Sequence, residues 1–265
     1  MAEILAQGVR FHVQRLTPRH QRQRLEHPVV FIHGLGMDDL SSFYYTLANP
    51  VAHAGAEVIL YDLRGHGLSE RSRSGYRVGD SVADLVALLD ALGVEGPVHL
   101  VGNSYGGTVA LGFAVAHPER VASMVLIEAH FRVTGWAEQV TAERSRIKSA
   151  AGSALPGRLS RLGRKTARLA EAVDKLLDHT TFLADLTTVR AIPMSQLRTL
   201  TCPVRAIYGE HSDVVDYARE LDQYLPHCVL TVMAGCGHSV LMEASAALRE
   251  IVLDWFATQT PSGIR

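Results

Sequence analysis

The chain carries almost no net charge, and this scarcity removes the simplest electrostatic reason for binding a polyanion. Its 26 lysines and arginines are balanced by 27 aspartates and glutamates, which leaves a formal charge of −1. A strongly basic surface is what attracts nucleic acid or an anionic membrane. We therefore expect neither nucleic acid nor a membrane as a partner, and any effect of charge should be local.

Cysteines are also few, and no apolar run is long. Cys202, Cys228 and Cys236 are an odd number without the spacing of a metal site, so we expect free thiols, a reducing compartment and, by default, the cytoplasm. The most apolar stretch, Thr108 to Ala116, is far shorter than the roughly 20 residues that cross a bilayer. The N-terminal residues lack the basic, apolar and small-residue order of a signal peptide. The sequence therefore predicts neither a transmembrane helix nor secretion.

Short apolar runs alternate with segments of helical period, and this alternation predicts an α/β fold. The expected architecture is a mostly parallel sheet covered by helices on both faces, with an antiparallel hairpin over Glu3 to Arg15 at its edge. Ser81 and Asp84 are expected to cap the first of the predicted helices. These helices span Ser81 to Leu92, Tyr105 to Ala116 and Val240 to Thr258. The core strands are predicted at Pro28 to Ile32, Glu57 to Tyr61, Val98 to Gly102, Val121 to Ile127, Pro203 to Tyr208 and Val229 to Met233.

The alternation of strands and helices stops at about Arg132 and resumes at about residue 201. Between these points the chain is prone to form helices, rich in arginine and alanine, and interrupted by glycine and proline. We expect residues 132–200 to form an inserted helical cap. Residues 1–131 and 201–265 would then make up a single α/β core.

The most distinctive pattern is Gly102-Asn103-Ser104-Tyr105-Gly106, which follows a predicted strand and opens a predicted helix. A serine at so tight a turn projects its hydroxyl above the sheet, and the glycines let the backbone turn without a clash. The helix N-terminus adds partial positive charge where an oxyanion would form. A glycine-rich turn by itself needs no function, so Ser104 as a nucleophile also requires a base and an orienting acid.

Candidates for both partners follow Ser104 in the chain. His238 lies in a glycine-containing loop after the last predicted strand, where it is the candidate base. Asp213 lies just beyond the preceding strand and is the preferred acid. Glu128, at the end of the strand before that, is the alternative acid. The sequence therefore predicts a triad of Ser104, His238 and one of two carboxylates, with Asp213 ahead.

The tight turn around Ser104 (the nucleophile elbow), the loops that carry Asp213 and His238, and two further motifs resemble those of the α/β-hydrolase superfamily. The chain order of serine, aspartate and histidine is also that of this superfamily. The resemblance covers nearly the whole chain outside the expected cap and implies an esterase- or thioesterase-like serine hydrolase. The two motifs are His33-Gly34-Leu35-Gly36 and Asp62-Leu63-Arg64-Gly65-His66-Gly67-Leu68-Ser69, each after a predicted strand.

The resemblance also implies roles for individual groups. The backbone N–H groups of Leu35 and Tyr105 would form an oxyanion hole, and the turn from Gly65 to Ser69 would be structural. His33 is expected to fix the oxyanion loop by hydrogen bonding rather than to act as a base. Asp62 is expected to be a buried, hydrogen-bonded carboxylate at the end of its strand.

A serine nucleophile directs the expected chemistry to acyl transfer. Dehalogenation and epoxide opening on this fold use a carboxylate nucleophile, which the elbow lacks. We expect hydrolysis of an ester or thioester through an acyl-enzyme. The alternatives are cleavage of a C–C bond in a vinylogous diketone by the same triad, and a ligand receptor with vestigial hydrolase activity. No cofactor or metal is expected, because the sequence contains no dinucleotide fingerprint, phosphate loop or metal-ligand cluster.

The expected cap contains a basic segment with no acidic residue from position 144 to 168. One interpretation is that it attracts an anionic acyl substrate linked to coenzyme A or to an acidic carrier protein. The other is a solvated helix face opposite acids such as Glu171 and Asp174. The candidate anion contacts are Arg158, Arg161, Arg164 and Lys165.

Overall fold

The computed structural model describes residues 2–18, 25–131, 135–138, 140–142, 144, 145 and 163–259, with only the backbone of 163–170. These residues contain eight strands that form one sheet. The strands are β1 (Ala2–Ala6), β2 (Val9–Leu16), β3 (Val29–Ile32), β4 (Val58–Tyr61), β5 (Val98–Asn103), β6 (Val121–Ile127), β7 (Val204–Gly209) and β8 (Cys228–Met233).

The strand order is β1-β2-β4-β3-β5-β6-β7-β8. The pairs β1–β2 and β2–β4 are antiparallel, and all the others are parallel. The predicted α/β class, the edge hairpin and all six predicted core strands are therefore confirmed. The loops after β3, β5, β6, β7 and β8 leave the sheet at the same edge, because the carboxyl ends of parallel strands lie together.

Burial on both faces explains why the central strands are apolar throughout. Every residue of β3 and β4 is buried. Successive side chains of a strand point to opposite faces, so Val30 and Ile32 join one core cluster while Val29 and Phe31 join the other. Each such side chain contributes roughly 1.5–3 kcal/mol when it is removed from water. Strand β8 is only half-buried because it lies at an edge of the sheet.

The three predicted helices are present, with two corrections. The described α-helices are α1 (Ser41–Phe43), α2 (Asn49–His53), α3 (Val78–Ala91), α4 (Tyr105–Ala116), α5 (Gly163–His179), α6 (Phe182–Thr187), α7 (Met194–Leu197), α8 (Val215–Tyr224), α9 (Val240–Glu243) and α10 (Ser245–Thr258). A π-helical turn, Tyr44–Ala48, joins α1 to α2. The predicted final helix is divided at Ala244 into α9 and α10.

The predicted capping pair of α3 is wrong. The helix begins at Val78, so Ser81 lies inside its first turn. Asp80, not Asp84, reaches back and accepts a hydrogen bond from the Arg77 N–H at 2.9 Å. Asp84 instead forms a largely buried ion pair with Arg64. A carboxylate recruited by a distant arginine cannot be recognised from local spacing.

Between β6 and β7 the described residues form helices α5, α6 and α7. Asp185 of α6 joins this segment to the core, because its carboxylate accepts a hydrogen bond from the Tyr76 N–H at 3.2 Å and lies 3.5 Å from Arg77. The division into a core and a cap over 132–200 stays a prediction. Across the residues that the structure covers, no helix is both long enough and apolar enough to span a membrane.

Candidate active site

Ser104 occupies the sharp turn between β5 and α4. Its φ of 51° and ψ of −115° place it in a conformation that non-glycine residues rarely adopt. The turn is held by the Ser104 N–H, which donates to the Ile127 carbonyl of the neighbouring strand at 2.8 Å. A strained residue held by its surroundings at the carboxyl edge of a sheet is typical of a functional position.

Close backbone contacts explain the two glycines that flank Ser104. A Cβ at Gly102 would run into the backbone of Gly106. A Cβ at Gly106 would run into the Ile32 carbonyl at the end of β3. Helix α4 can therefore pack directly above β3 and β5 only if both positions lack a side chain.

His238 meets the serine across the sheet edge. Its Nε2 lies 3.2 Å from the Ser104 Oγ, although the two residues are 134 positions apart in the sequence. The His238 loop is fixed on both sides. The Gly237 N–H donates to the Glu243 carboxylate at 2.7 Å, and the His211 N–H donates to the Cys236 carbonyl at 2.8 Å. The predicted nucleophile and base are thus within hydrogen-bonding reach.

Two carboxylates approach the other nitrogen of the same imidazole. Oε2 of Glu128 is 3.0 Å from the His238 Nδ1, and Oδ1 of Asp213 is 3.6 Å from it. Glu128 is fully buried, whereas the Asp213 side chain is 64% exposed. The structure therefore brings both predicted acids to the site, with the alternative acid nearer than the preferred one.

These charges determine the protonation of His238. Burial lowers its pKa, but the hydrogen bond to Glu128 and the negative charges of Glu128 and Asp213 have the larger combined effect, so the pKa is raised. A raised pKa makes the imidazole a stronger base towards a serine hydroxyl.

The loop after β3 lies beside Ser104. A Cβ placed on Gly34 would be 3.6 Å from the Ser104 Cβ. His33 accepts a hydrogen bond from the Leu63 N–H at Nε2 (2.9 Å) and donates from Nδ1 to the Gly34 carbonyl (2.7 Å). With both nitrogens engaged in this way, the expectation that His33 fixes the loop is confirmed.

Sequence reasoning missed the part that His66 plays in this loop. Its Nε2 accepts a hydrogen bond from the Gly36 N–H at 3.1 Å, while its Nδ1 donates to the Arg64 carbonyl at 3.0 Å. Burial, and then the neighbouring His33, lower its pKa to about 4. His66 is therefore a neutral acceptor that holds the residue after Leu35. The glycine-rich turn around it explained its position without indicating this contact.

Asp62 fulfils its structural expectation. Its carboxylate is buried and accepts hydrogen bonds from the N–H groups of Leu40 (2.8 Å) and Leu68 (2.9 Å) and from the His12 ring (2.8 Å). It therefore joins the β1–β2 hairpin to the segments around Leu40 and Leu68. No described contact links it to Ser104 or His238.

Ser212 and His130 are two further neighbours that the sequence did not single out. Ser212 donates a short hydrogen bond to Oε2 of Glu128, and its hydroxyl is 3.4 Å from the His238 Nδ1. The ring centroid of His130 is 5.3 Å from that of His238 and 4.5 Å from that of Trp136. Burial, and then His238, lower the pKa of His130 to about 4.

The predicted anion contacts cannot be placed in the site. Arg158 and Arg161 lie outside the described residues, and only the backbone of Arg164 and Lys165 is described, in α5. Arg144, from the same basic segment, is paired with Asp174 at 2.7 Å and also with Asp178. Within the described ranges, no cluster of three or more histidine, cysteine or acidic side chains could hold a metal ion.

Comparison with known proteins supports the fold. A family model described as "alpha/beta hydrolase fold" matches residues 27–149, which include Ser104 and Glu128. RutD of Variovorax paradoxus, named as a carbamate hydrolase, is 26% identical over 86% of this chain and 92% of its own. A 2-hydroxymuconate semialdehyde hydrolase from a Pseudomonas strain is 37% identical, over 47% of this chain and 42% of its own. This chain therefore matches less than half the length of that second relative.

A solved structure supports the fold over nearly the whole chain. A meta-cleavage product hydrolase from Pseudomonas fluorescens superposes with a TM-score of 0.75 and 22% identity, over 97% of this chain and 98% of its own. At that identity the likeness shows the fold, and these three proteins are all named as hydrolases.

Proposed function

This chain belongs to the α/β-hydrolase superfamily of enzymes, and we propose that it is a serine hydrolase that cleaves a carboxylic ester or thioester through an acyl-enzyme. The observation that carries the proposal is the 3.2 Å approach of the His238 Nε2 to the Ser104 Oγ, with carboxylate oxygens at Nδ1 of the same ring. A hydroxyl, an imidazole and a carboxylate in this order form a catalytic triad, in which the imidazole activates the serine and the carboxylate orients the imidazole.

The proposed reaction has two halves, and in each half His238 acts first as a base and then as an acid. His238 accepts the Ser104 proton at Nε2 as Oγ adds to the substrate carbonyl carbon. The N–H groups of Leu35 and Tyr105 donate to the oxyanion that forms. The protonated ring then gives its proton to the leaving oxygen or sulfur as that bond breaks. A water molecule, deprotonated by His238, releases the acid from Ser104 by the same steps.

The backbone supports the proposed oxyanion hole. Tyr105 is the first residue of α4, so no preceding turn of that helix can accept its N–H. The contacts of His33 and His66 hold the chain on both sides of Leu35. Loss of one oxyanion donor typically costs about 100- to 1000-fold in rate. The positions of these amides should therefore matter as much as the side chains.

Cleavage of a C–C bond is the second candidate function. The names of two of the relatives, a semialdehyde hydrolase and a meta-cleavage product hydrolase, favour it. We further propose that the acyl group of the substrate is linked to coenzyme A or to a carrier protein. Only the basic composition of residues 144–168 supports this partner. The paired state of Arg144 supports the opposing interpretation of a solvated face.

The proposal is tested by labelling with a fluorophosphonate probe, which reacts with activated serines. We expect the parent protein to be labelled and Ser104→Ala to lose labelling completely, because the nucleophile is gone. Ser195→Ala is the matched control, since Ser195 is exposed on α7, and it should be labelled like the parent. Labelling that survives in Ser104→Ala would overturn the nucleophile assignment.

A substrate panel then separates the reaction classes. Esters, thioesters, a lactone and a vinylogous diketone would be compared by kcat/KM with the parent and Ser104→Ala. Turnover of the diketone alone would replace ester cleavage with C–C cleavage. Tight binding with almost no turnover of any substrate would favour a receptor.

A further inference from the structure

Two carboxylates converge on one nitrogen of His238, although a triad requires only one. Glu128 follows β6 and Asp213 follows β7, so neighbouring strands deliver them to the same place. Their oxygens lie 3.0 Å and 3.6 Å from Nδ1. Only the shorter separation falls in the range of a hydrogen bond.

The carboxylate of Glu128 is held rigidly. Its Oε1 accepts a short hydrogen bond from the Gly209 N–H, and its Oε2 accepts one from the Ser212 hydroxyl. The side chain has no exposed surface. Oε1 thus has a donor at the end of β7, and Oε2 has a donor in the loop after β7 in addition to the imidazole.

The backbone of Glu128 also marks it as an unusual residue. Its φ is 52°, in the left-handed region that a residue with a Cβ rarely adopts. Its N–H still donates to the Ile207 carbonyl at 2.9 Å, which extends the β6–β7 pairing by one residue. Strained conformations of this kind persist where the surrounding structure enforces them, commonly at active sites.

Asp213 is in a different environment. Its side chain is 64% exposed, and its carboxylate accepts no hydrogen bond within the part of the chain that the structure describes. Water and salt screen an exposed charge of this kind much more than a buried one. Asp213 can therefore attract the imidazolium through space without fixing the orientation of the ring.

We propose that Glu128 is the positioning residue for His238 and that Asp213 is an auxiliary carboxylate, which stabilises the imidazolium by charge alone. This inference rests on the proposed hydrolase function for its kinetic consequence. Glu128 holds the Nδ1–H tautomer, so that Nε2 faces Ser104 with its lone pair. Asp213 adds negative potential when the ring becomes charged, and it is not needed for orientation.

The test compares Glu128→Gln, Asp213→Asn and the double variant, all in the full chain. The rate of fluorophosphonate labelling of Ser104 measures activation without the need for a known substrate. NMR titration of His238 measures the ring directly and does not depend on activity. Asp216→Asn is the matched control, because Asp216 is an exposed carboxylate on α8 that pairs with Arg219 rather than with His238.

We expect Glu128→Gln to slow labelling by about 100-fold or more, since loss of the orienting carboxylate in a triad costs up to about 10,000-fold. Asp213→Asn should slow labelling by less than about 10-fold. The difference in labelling rate between this variant and the parent should shrink in about 1 M salt, because the Debye length there is about 3 Å and the charge of Asp213 is screened. Glu128→Gln should also lower the pKa of His238 further than Asp213→Asn does. The control should match the parent in both measurements.

The other groups around His238 affect both the labelling rate of Ser104 and the pKa of His238, and every variant retains them. Ser104 after β5, His130 after β6 and Ser212 after β7 contact the His238 ring, and Glu243 on α9 accepts a hydrogen bond from the neighbouring Gly237 N–H. Thermal unfolding checks that Glu128→Gln still folds. Glu128→Asp, which keeps the charge on a shorter side chain, provides a second variant that should recover part of the rate.

The outcomes separate this inference from the proposed function. A larger loss in Asp213→Asn than in Glu128→Gln, in labelling or in the pKa of His238, overturns the division of roles. A parent protein that is never labelled overturns the hydrolase proposal. In that case the order of the two effects on the pKa of His238 still supports or contradicts the inference.

Discussion

His66 shows how a single side chain acts on the site without reaching the reacting atoms. Its Nε2 accepts the Gly36 N–H, and Gly36 follows the residue whose N–H is proposed to stabilise the oxyanion. The neutral ring is required for this contact, because a protonated nitrogen cannot accept a hydrogen bond. Burial, which lowers the pKa of His66 to about 4, keeps the acceptor available at neutral pH.

We therefore predict that His66→Phe slows fluorophosphonate labelling by up to about 100-fold, the cost typical of misplacing a catalytic group by about 1 Å. The pH midpoint of labelling should stay that of the parent, because His238 and its carboxylates are unchanged. His179→Phe is the control, since His179 is exposed at the end of α5. A labelling rate for His66→Phe equal to that of the control would exclude the positioning role.

At the scale of elements, the elbow joins β5 to α4 so tightly that the side chain at position 106 decides whether the two can pack. A Cβ at Gly106 meets the backbone of Ile32 and His33 at the end of β3. Backbone at the centre of a sheet cannot move aside as a flexible side chain can, and overpacking typically costs about 1–3 kcal/mol or more.

We predict that Gly106→Ala lowers the free energy of unfolding by about 1–3 kcal/mol or more, because α4 must move away from β3. The same movement should abolish labelling of Ser104. Urea unfolding and probe labelling would measure the two effects. Gly79→Ala in α3 is the matched control, because a Cβ there meets nothing within 4 Å. It should be neutral or slightly stabilising, since alanine is favoured over glycine in helices by up to about 1 kcal/mol. Equal stabilities for the two variants would contradict the packing argument.

The elements also show where local sequence is informative. Strands β3 and β4 could be predicted because both of their faces are buried, which makes them continuous apolar runs. The start of α3 could not, because both Asp80 and Asp84 are spaced as caps and only a contact with Arg64 distinguishes them. Local patterns predict an element, whereas contacts from other elements determine how it begins and ends.

At the scale of the whole molecule, buried histidines make stability depend on pH. Burial, the first cause in each case, lowers the pKa of His66, His99 and His130 to about 4. Since an unfolded histidine has a pKa of about 6.5, these groups stabilise the fold fully above that pH. Their contribution is lost as the pH falls from about 6.5 towards 4, because the unfolded chain binds protons that the native state excludes. His238 acts in the opposite direction, since its pKa is raised.

We predict that the free energy of unfolding decreases as the pH is lowered from about 6.5 to 4.5, by up to about 1.4 kcal/mol per pH unit for each excluded proton. Urea unfolding at several pH values would measure the slope. His99→Gln should make the slope shallower by about one proton, whereas His179→Gln, at an exposed position, should leave it unchanged. A stability that stays constant over this range would show that these rings are protonated in the native state.

The sequence alone determined the fold class and the core strands, and it identified Ser104 and His238 as the candidate nucleophile and base, because periodicity and glycine-containing turns are local properties. Only the tertiary structure decided which carboxylate lies nearest to His238. The sequence favoured Asp213 over Glu128, although each of them follows a strand that ends at the same edge of the sheet. Burial, the donors Gly209 and Ser212 and the left-handed backbone distinguish them, and all three arise from packing between residues distant in the chain.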